Sequence, residues 1–170
     1  MRTSFKYLAA GLILAGAVSA AQADGLLKVE QTVFGMDCAP CAYGLRKGLN
    51  KLPGVSKVDV SLNDGKAVVE FAPGSPTSFT QIHDLIIHSG FTPQAAQVTV
   101  QGHLVKAGDH LRLIASATDE YDLNFPEAGA AAALQPDEVV VIEGQIAGLA
   151  AGAVPGLSVQ KVSVAPVRTP

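Results

Sequence analysis

The sequence predicts an α+β protein in two parts, a mixed helix-and-strand unit over residues 24–98 and a smaller all-β unit over residues 99–170. Two observations lead to this prediction. Short β-rich runs alternate with two segments of helical periodicity in the first part. In the second part apolar residues alternate with polar ones, which is typical of strands with one buried face. We expect residues 1–23 to be a removable leader outside this fold.

Length and composition limit what the chain can be. It has 170 residues, of which 48% are hydrophobic and 16% are charged, so it has enough apolar material for a packed core. The net charge is −3 without any basic block, and we therefore expect no nucleic-acid partner. The two cysteines allow one disulfide or half of a tetrahedral zinc site.

The first 23 residues have the pattern of a secretory leader. Arg2 and Lys6 precede an apolar run over residues 8–18, which is shorter than the ~20 residues needed to span a bilayer. Small residues at Ala20 and Ala23 mark two cleavage sites. We expect a periplasmic or secreted product of 147 residues, with a net charge of −5 and no stable membrane insertion after leader removal. The alternative is a leader that stays as a single-pass anchor.

The first elements of the mixed unit are a strand and a helix. Residues 26–34 are rich in β-branched side chains, and Gly35 ends the run. Residues 40–52 carry apolar side chains at spacings of 3, 4 and 3, which predicts a helix. Pro40 fits its first turn, and Pro53-Gly54 is expected to end it.

The remaining elements follow in the order strand, strand, helix, strand. Residues 55–62 and 67–71 flank Asn63-Asp64-Gly65, which predicts a hairpin. A second helical stripe ends at Ser89-Gly90, and it is made by Phe79, Ile82, Leu85 and Ile86. Residues 92–98 form the last predicted strand. The order β-α-β-β-α-β predicts a ferredoxin-like fold.

Both cysteines lie where the first strand passes into the first helix. Cys38 is predicted in the loop and Cys41 in the first helical turn, where the positive end of the helix dipole stabilises a thiolate. Two such thiolates can reach one ion from opposite sides, which suits Cu(I) and Hg(II). Zinc is less favoured, because it needs four ligands and no second pair lies nearby.

The run from Gly35 to Cys41 resembles the G-M-x-C-x-x-C loop of the heavy-metal-associated domain family. The resemblance extends over about residues 26–98, through the Pro53-Gly54-Val55 helix exit, the hairpin and the Ser89-Gly90-Phe91 helix end. It implies that Cys38 and Cys41 are the metal ligands and that Met36 is a buried support of the loop. It also implies that Phe91 packs beneath the loop, as in mercury-binding and ATPase-type members.

Three residues depart from the family's pattern or are unfavourable in a helix. Gly44 and Gly48 each cost ~1 kcal/mol relative to Ala inside a helix, and they either permit close packing or are tolerated. Pro40 stiffens the loop between the cysteines, which affects affinity or metal choice.

The resemblance implies a metal carrier and not an enzyme, but two other uses of the cysteines stay open. In an oxidising compartment two free thiols tend to form a disulfide. The pair would then serve a thiol–disulfide oxidoreductase or a purely structural crosslink. Asp37 and the hairpin after the first helix speak against a thioredoxin-like protein, in which an aromatic residue usually precedes the first cysteine. We favour capture of one soft ion and its transfer by thiolate exchange to a donor or acceptor protein, such as a membrane transporter.

The histidines give weaker signals. His83 and His88 are five residues apart on the second helix, so they do not share a face and are predicted to be solvated. His103 and His110 flank a predicted hairpin. We expect two exposed strand residues there, and the alternative is a second metal site.

The second part is predicted to contain four or five antiparallel strands in a small barrel or sandwich that is OB-like. Strands are expected around residues 98–113, 120–125, 138–146 and 157–164, with an Ala-rich loop or helical turn over residues 127–135 and a frayed tail over residues 165–170. The pattern of residues 98–104 recurs at residues 140–146, which indicates shared strand-with-bulge chemistry more than a true repeat. It contains no recognisable catalytic motif, so we interpret it as an accessory domain for docking a partner. The alternative is that this domain carries the main role and the metal site regulates it.

Overall fold

The computed structural model describes residues 24–127, 131, 134–150 and 152–164. The predictions for the leader, for residues 165–170 and for part of residues 127–135 lie outside this range. None of the described helices has the length and apolar character that crossing a membrane requires.

The first part contains the predicted elements in the predicted order. These are β1 (Gly25–Phe34), α1 (Ala39–Leu49), β2 (Val55–Ser61), β3 (Lys66–Phe71) and α2 (Phe79–His88), followed by β4 (Thr92–Ala107). Helix α1 ends earlier than predicted, at Leu49, because Asn50 caps it and donates its backbone N–H to the Arg46 carbonyl. The hairpin turn closes at Gly65, whose φ of +59° is a conformation that residues with a Cβ adopt only rarely.

The first four strands pair in the order β2-β3-β1-β4, and every pairing among them is antiparallel. Together with the two helices this is the predicted ferredoxin-like arrangement. Strand β1 therefore lies in the interior of the sheet, and its carboxyl end carries the loop that leads into α1. The helices bury their apolar stripes against the sheet, and the buried side chains of α1 are Leu45 and Leu49.

Strand β4 belongs to both parts of the molecule. It is 16 residues long and pairs with β1 over its first half, as far as Gln101. Its second half pairs with β5 (His110–Ser116) from His103 onward. The predicted division between residues 98 and 99 lies inside this strand, and a single cluster of buried apolar side chains includes residues from both parts.

Within the described residues, the second part is a ring of five strands. Strand β5 is followed by β6 (Asp119–Asn124), β7 (Val139–Ile146) and β8 (Gly156–Val164). The order is β4-β5-β6-β8-β7, and β7 pairs back onto β4 and closes the ring. All neighbours are antiparallel except β6 and β8, which are parallel. The prediction of antiparallel neighbours throughout is wrong for that one pair.

The two similar segments predicted from the sequence lie next to each other. Val98 pairs with Gly144, Val100 with Ile142 and Gly102 with Val140, so the recurring patterns run antiparallel across the β4–β7 ladder. A Cβ on Gly102 would lie 2.4 Å from the Ile114 carbonyl oxygen, and one on Gly144 would lie 2.5 Å from that of Ser158. Gly102 thus permits the close approach of β5, and Gly144 permits that of β8. A register shift marks Gly144 as a bulge.

Candidate metal centre

The cysteine loop connects an interior strand to a helix N-terminus. After Phe34, Gly35 adopts a φ of +88°, which turns the chain out of β1. Met36 then points inward with 4% of its surface exposed, and Asp37 is exposed. Met36 is therefore buried, and its support of the cysteine loop stays a prediction.

Cys38 and Cys41 lie at the first turn of α1, as predicted. Cys38 is the N-cap residue with extended backbone, and its Sγ accepts the backbone N–H of Cys41 at 3.2 Å. Pro40 occupies the first turn, where a missing N–H costs no helical hydrogen bond. Helix α1 therefore begins at the cysteine loop, because Cys38 Sγ accepts a backbone N–H of its first turn and Pro40 loses no helical hydrogen bond there.

The structure shows the two cysteines joined to each other in a disulfide, with their Cα atoms 5.1 Å apart. Both residues are half-buried. A disulfide has no thiolate to offer a metal ion, so this is the oxidised form of the pair. Two-electron reduction, with uptake of two protons, would return two thiols at the same loop, and their loss of protons would give two soft donors.

The charge near the pair comes from the start of α1 and from one side chain. Helix α1 has no acidic residue in its first turn, although the exposed Asp37 directly precedes Cys38. The positive end of the helix dipole favours a thiolate over a neutral thiol at this position. Arg46 and Lys47 lie in the last turn, at the opposite end of α1, where they complement the dipole.

Phe91 packs against the hydrophobic core as a half-buried side chain. Its backbone N–H reaches back to the Ile86 carbonyl at 3.2 Å and closes the end of α2, with Gly90 at a φ of +86°. This closure returns the chain to the start of β4, which pairs with the end of β1. The specific placement of Phe91 beneath the cysteine loop stays a prediction.

Sequence reasoning missed three exposed apolar side chains, Phe34, Tyr43 and Leu62, which we call the apolar rim. Phe34 precedes the cysteine loop in the chain, and Tyr43 and Leu62 line one shallow groove. Phe34 is 71% exposed, Tyr43 59% and Leu62 36%. The Arg46 guanidinium lies 5.5 Å from the centre of the Tyr43 ring and shares a shallow groove with it, lined also by Ala39, Ala42, Val60 and Leu62. Helical spacing alone did not reveal this rim, because Phe34 and Leu62 lie at strand ends where period-2 alternation stops.

The histidines do not assemble a second centre in the described part of the chain. His103 lies 2.8 Å from Asp24, and His110 lies 3.2 Å from Asp122, so each contacts a different acidic residue. Both histidine side chains are exposed, as expected. The prediction of a solvated His83 is wrong, since its side chain is only 12% exposed, whereas His88 is exposed. No group of three or more His, Cys, Asp or Glu side chains converges within the described residues.

Comparison with known proteins finds a family match within the first part of the chain. The family model of the heavy-metal-associated domain matches residues 31–92 of this chain. A mercuric transport protein periplasmic component from Shigella flexneri is 46% identical over 66 residues, which are 39% of this chain and 71% of that protein. A copper-exporting P-type ATPase from Staphylococcus haemolyticus is 36% identical over 70 residues, which are 41% of this chain and 9% of that protein.

Among solved structures, oxidised MerP from Ralstonia metallidurans is 32% identical and aligns over 40% of this chain and 93% of its own, with a TM-score of 0.37. The ferredoxin-like assignment of the first part therefore rests on the strand pairing described above. Residues 93–170 lie outside the family match.

Proposed function

The chain belongs to the heavy-metal-associated domain family, and we propose that it captures one soft metal ion, Cu(I) or Hg(II), between Cys38 and Cys41 and passes it to another protein. The observation that carries the proposal is the position of both cysteines at the first turn of α1, within the matched residues. Relatives of this region include a mercuric transport protein and a copper-exporting ATPase.

The chemistry of transfer follows from a site that offers two sulfur donors from one loop. A soft ion held by two thiolates accepts a third thiolate from an incoming protein, and one of the original bonds then breaks. The ion is cargo, and no charge is created or lost in the exchange. The exposed rim of Phe34, Tyr43 and Leu62 supports this proposal, because contact with a partner would bury apolar surface beside the cysteines.

We propose export to the periplasm as the setting and a membrane transporter or another thiolate-bearing protein as the donor or acceptor. The leader-like residues 1–23 and the similarity to a periplasmic mercuric transport component support this setting. Such a compartment favours the disulfide, so metal capture there requires a reductant or an ion that arrives before oxidation.

We further propose that the ring of β4–β8 is an OB-like accessory unit that docks a partner. Its support is the order of five strands in a closed ring, with one parallel pair. The division into a metal-binding unit over residues 24–98 and an accessory unit over residues 99–170 is part of this proposal, with β4 shared between them.

The second candidate function is thiol–disulfide exchange, and the observation that favours it is the Cys38–Cys41 disulfide itself. A cysteine at a helix N-terminus is suited to attack a disulfide as well as to bind metal. The hairpin that follows α1 and the exposed Asp37 before Cys38 favour the metal carrier over this alternative.

One experiment separates the two functions. The reduced full-length chain is titrated anaerobically with Cu(I) and, separately, with Hg(II), next to the variants Cys38→Ser and Cys41→Ser. Ala39→Ser serves as the matched control, because it changes the same loop and keeps both thiols. We expect a 1:1 complex with the wild type and the control, and its loss in both cysteine variants. Turnover of a disulfide substrate by the wild type, without a 1:1 metal complex, would show that the proposal is wrong.

A further inference from the structure

A carboxylate from the second part of the molecule holds the helix start of the first part. Asp119 opens β6, and its side chain is buried with 4% of the residue exposed. Its Oδ1 accepts the backbone N–H of Phe79 at 3.1 Å, and its Oδ2 accepts the Tyr121 hydroxyl at 2.7 Å. Phe79 is the first residue of α2, so the two parts meet in a buried hydrogen bond between residues 40 positions apart.

The hydrogen bond from Phe79 to Asp119 completes the N-terminal cap of α2, in which the backbone N–H groups of Ser78 and Gln81 already have acceptors. Ser78 accepts the N–H of Gln81 through its hydroxyl oxygen, and the Gln81 side chain accepts the N–H of Ser78 in return. Ser78 leaves the N–H of Phe79 without a partner inside the helix, and Asp119 provides one. A carboxylate is favoured at this end of a helix because of the helix dipole.

Burial acts against the charge of the same carboxylate. Desolvation raises the pKa of Asp119 to about 6, and the hydrogen bonds from Tyr121 and Phe79 lower it only in part. Tyr121 is completely buried, so the hydroxyl that donates to Asp119 is itself shielded from water. Two hydrogen-bond donors thus favour the charged carboxylate, whereas its burial disfavours the charge. The strength of the contact between Asp119 and Phe79 therefore depends on whether Asp119 is protonated.

Protons can reach Asp119 through a small pocket of about 150 Å³ beside it. Thr80, Thr118 and Glu120 line this pocket with residues 152–155, which contain no ionisable side chain. Glu120 points its carboxylate to the Arg112 guanidinium at 3.4 Å. On α2, His83 lies one turn after Phe79, with its Nδ1 3.7 Å from the exposed Asp84 carboxylate.

We propose that Asp119 is a proton-sensitive latch, in which the protonation state of this one carboxylate sets how firmly the N-terminus of α2 is held on β6. Opening of the latch separates only the N-terminus of α2 from β6. The two parts stay joined, because β4 pairs with both β1 and β7.

The direction of the effect follows from linkage. Docked Asp119 keeps its proton up to a pH of about 6, whereas a solvated Asp loses it near its ordinary pKa of about 3.9. Low pH therefore favours the closed latch, and rising pH favours opening, by about 50-fold in the opening equilibrium between pH 4 and pH 8.

Amide hydrogen exchange of the full-length chain measures this opening directly. After correction for the intrinsic exchange rates, we expect protection of Phe79 and Thr80 to fall by about 50-fold from pH 4 to pH 8 in the wild type. Asp119→Asn keeps the size of the side chain and an oxygen acceptor but cannot ionise, so its protection should change by less than about 3-fold. Glu120→Gln is the matched control and should behave as the wild type does.

Two results would overturn the latch: wild-type protection that does not vary with pH, or the same pH dependence in Asp119→Asn. If Asp119→Asn does not fold, the carboxyl carbon of Asp119 is titrated by NMR in the wild type. A midpoint near 6 supports the latch, and a midpoint near 4 contradicts it.

Discussion

Gly48 of α1 faces Leu85 of α2, and a Cβ placed on Gly48 would lie 3.3 Å from the Leu85 Cδ2 atom. The other interior glycine of α1, Gly44, has nothing within 4 Å of such a Cβ. The two glycines therefore differ in purpose: Gly48 permits the two helices to approach, and Gly44 is tolerated at an exposed position.

We expect Gly44→Ala to raise the free energy of unfolding by about 1 kcal/mol, because alanine loses less backbone entropy in a helix. Gly48→Ala gains the same entropy but must displace the Leu85 side chain, so its net gain should be smaller. Urea unfolding of the two variants side by side measures the difference. Equal stabilisation by both would show that the α1–α2 contact does not require glycine.

Alanine at Gly102 or Gly144, in the ring of strands, is expected to change the stability of the protein much more than alanine in α1. Alanine at either position would bring its Cβ to within 2.5 Å of a backbone carbonyl oxygen, which cannot rotate away. We expect each substitution to destabilise the protein by about 3 kcal/mol or more, and to lower Tm by roughly 6 °C or more.

Gly148→Ala is the control for this pair, since a Cβ there meets nothing within 4 Å. Its Tm should stay within about 2 °C of the wild type, as followed by circular dichroism. If Gly102→Ala and Gly148→Ala melted together, the close approach of β5 to β4 at Ile114 would be wrong.

Substitutions of Met36 test whether its buried thioether packs in the core or binds the metal ion. Met36→Leu conserves volume, so it should cost less than about 1.5 kcal/mol and leave Cu(I) affinity unchanged. Met36→Ala should cost about 2–5 kcal/mol, because the side chain is buried.

The measurements for Met36 are urea unfolding and a competitive Cu(I) titration of the reduced protein. Phe34→Ala is the control for truncation near the loop, and because Phe34 is 71% exposed it should change stability by less than about 1 kcal/mol. Weaker Cu(I) binding by the stably folded Met36→Leu would mean that the thioether is a ligand.

Tyr121→Phe should destabilise the protein more at pH 7.5 than at pH 4.5. The Tyr121 hydroxyl donates to Asp119 at 2.7 Å, and this bond lowers the Asp119 pKa from the value that burial alone would impose. Its loss raises that pKa further, so the penalty grows as pH rises and the carboxylate ionises. We expect a cost of about 1–3 kcal/mol at pH 7.5.

Chemical denaturation at the two pH values checks this prediction. Tyr43→Phe is the matched control, because Tyr43 is 59% exposed and should change stability by less than about 0.5 kcal/mol at both. A Tyr121→Phe penalty that is the same at both pH values would show that the hydroxyl does not act on the Asp119 charge.

Much of the first part could be predicted because its signals are local. The helical spacing before Leu49, the hairpin turn at Gly65 and the capping residues around Ser78 each specify a structure within a few positions of themselves. The cysteine pair is local in the same sense, since Cys38 and Cys41 are three positions apart and one helical turn brings them together. Helix ends are less local: α1 stops at Leu49 and not at Leu52, because Asn50 caps it before Pro53 is reached.

Local patterns in the chain were thus sufficient to predict the element order, the position of both cysteines at a helix start and the glycine echo between residues 98–104 and 140–146. Long-range packing fixes the rest: β4 runs through the predicted division, the echo segments pair, and β6 and β8 are parallel. The same packing covers most of the His83 side chain and brings Asp119 to the start of a helix 40 residues earlier. Periodicity shows which face of an element is apolar, whereas the partner of that face depends on chain closure over long separations.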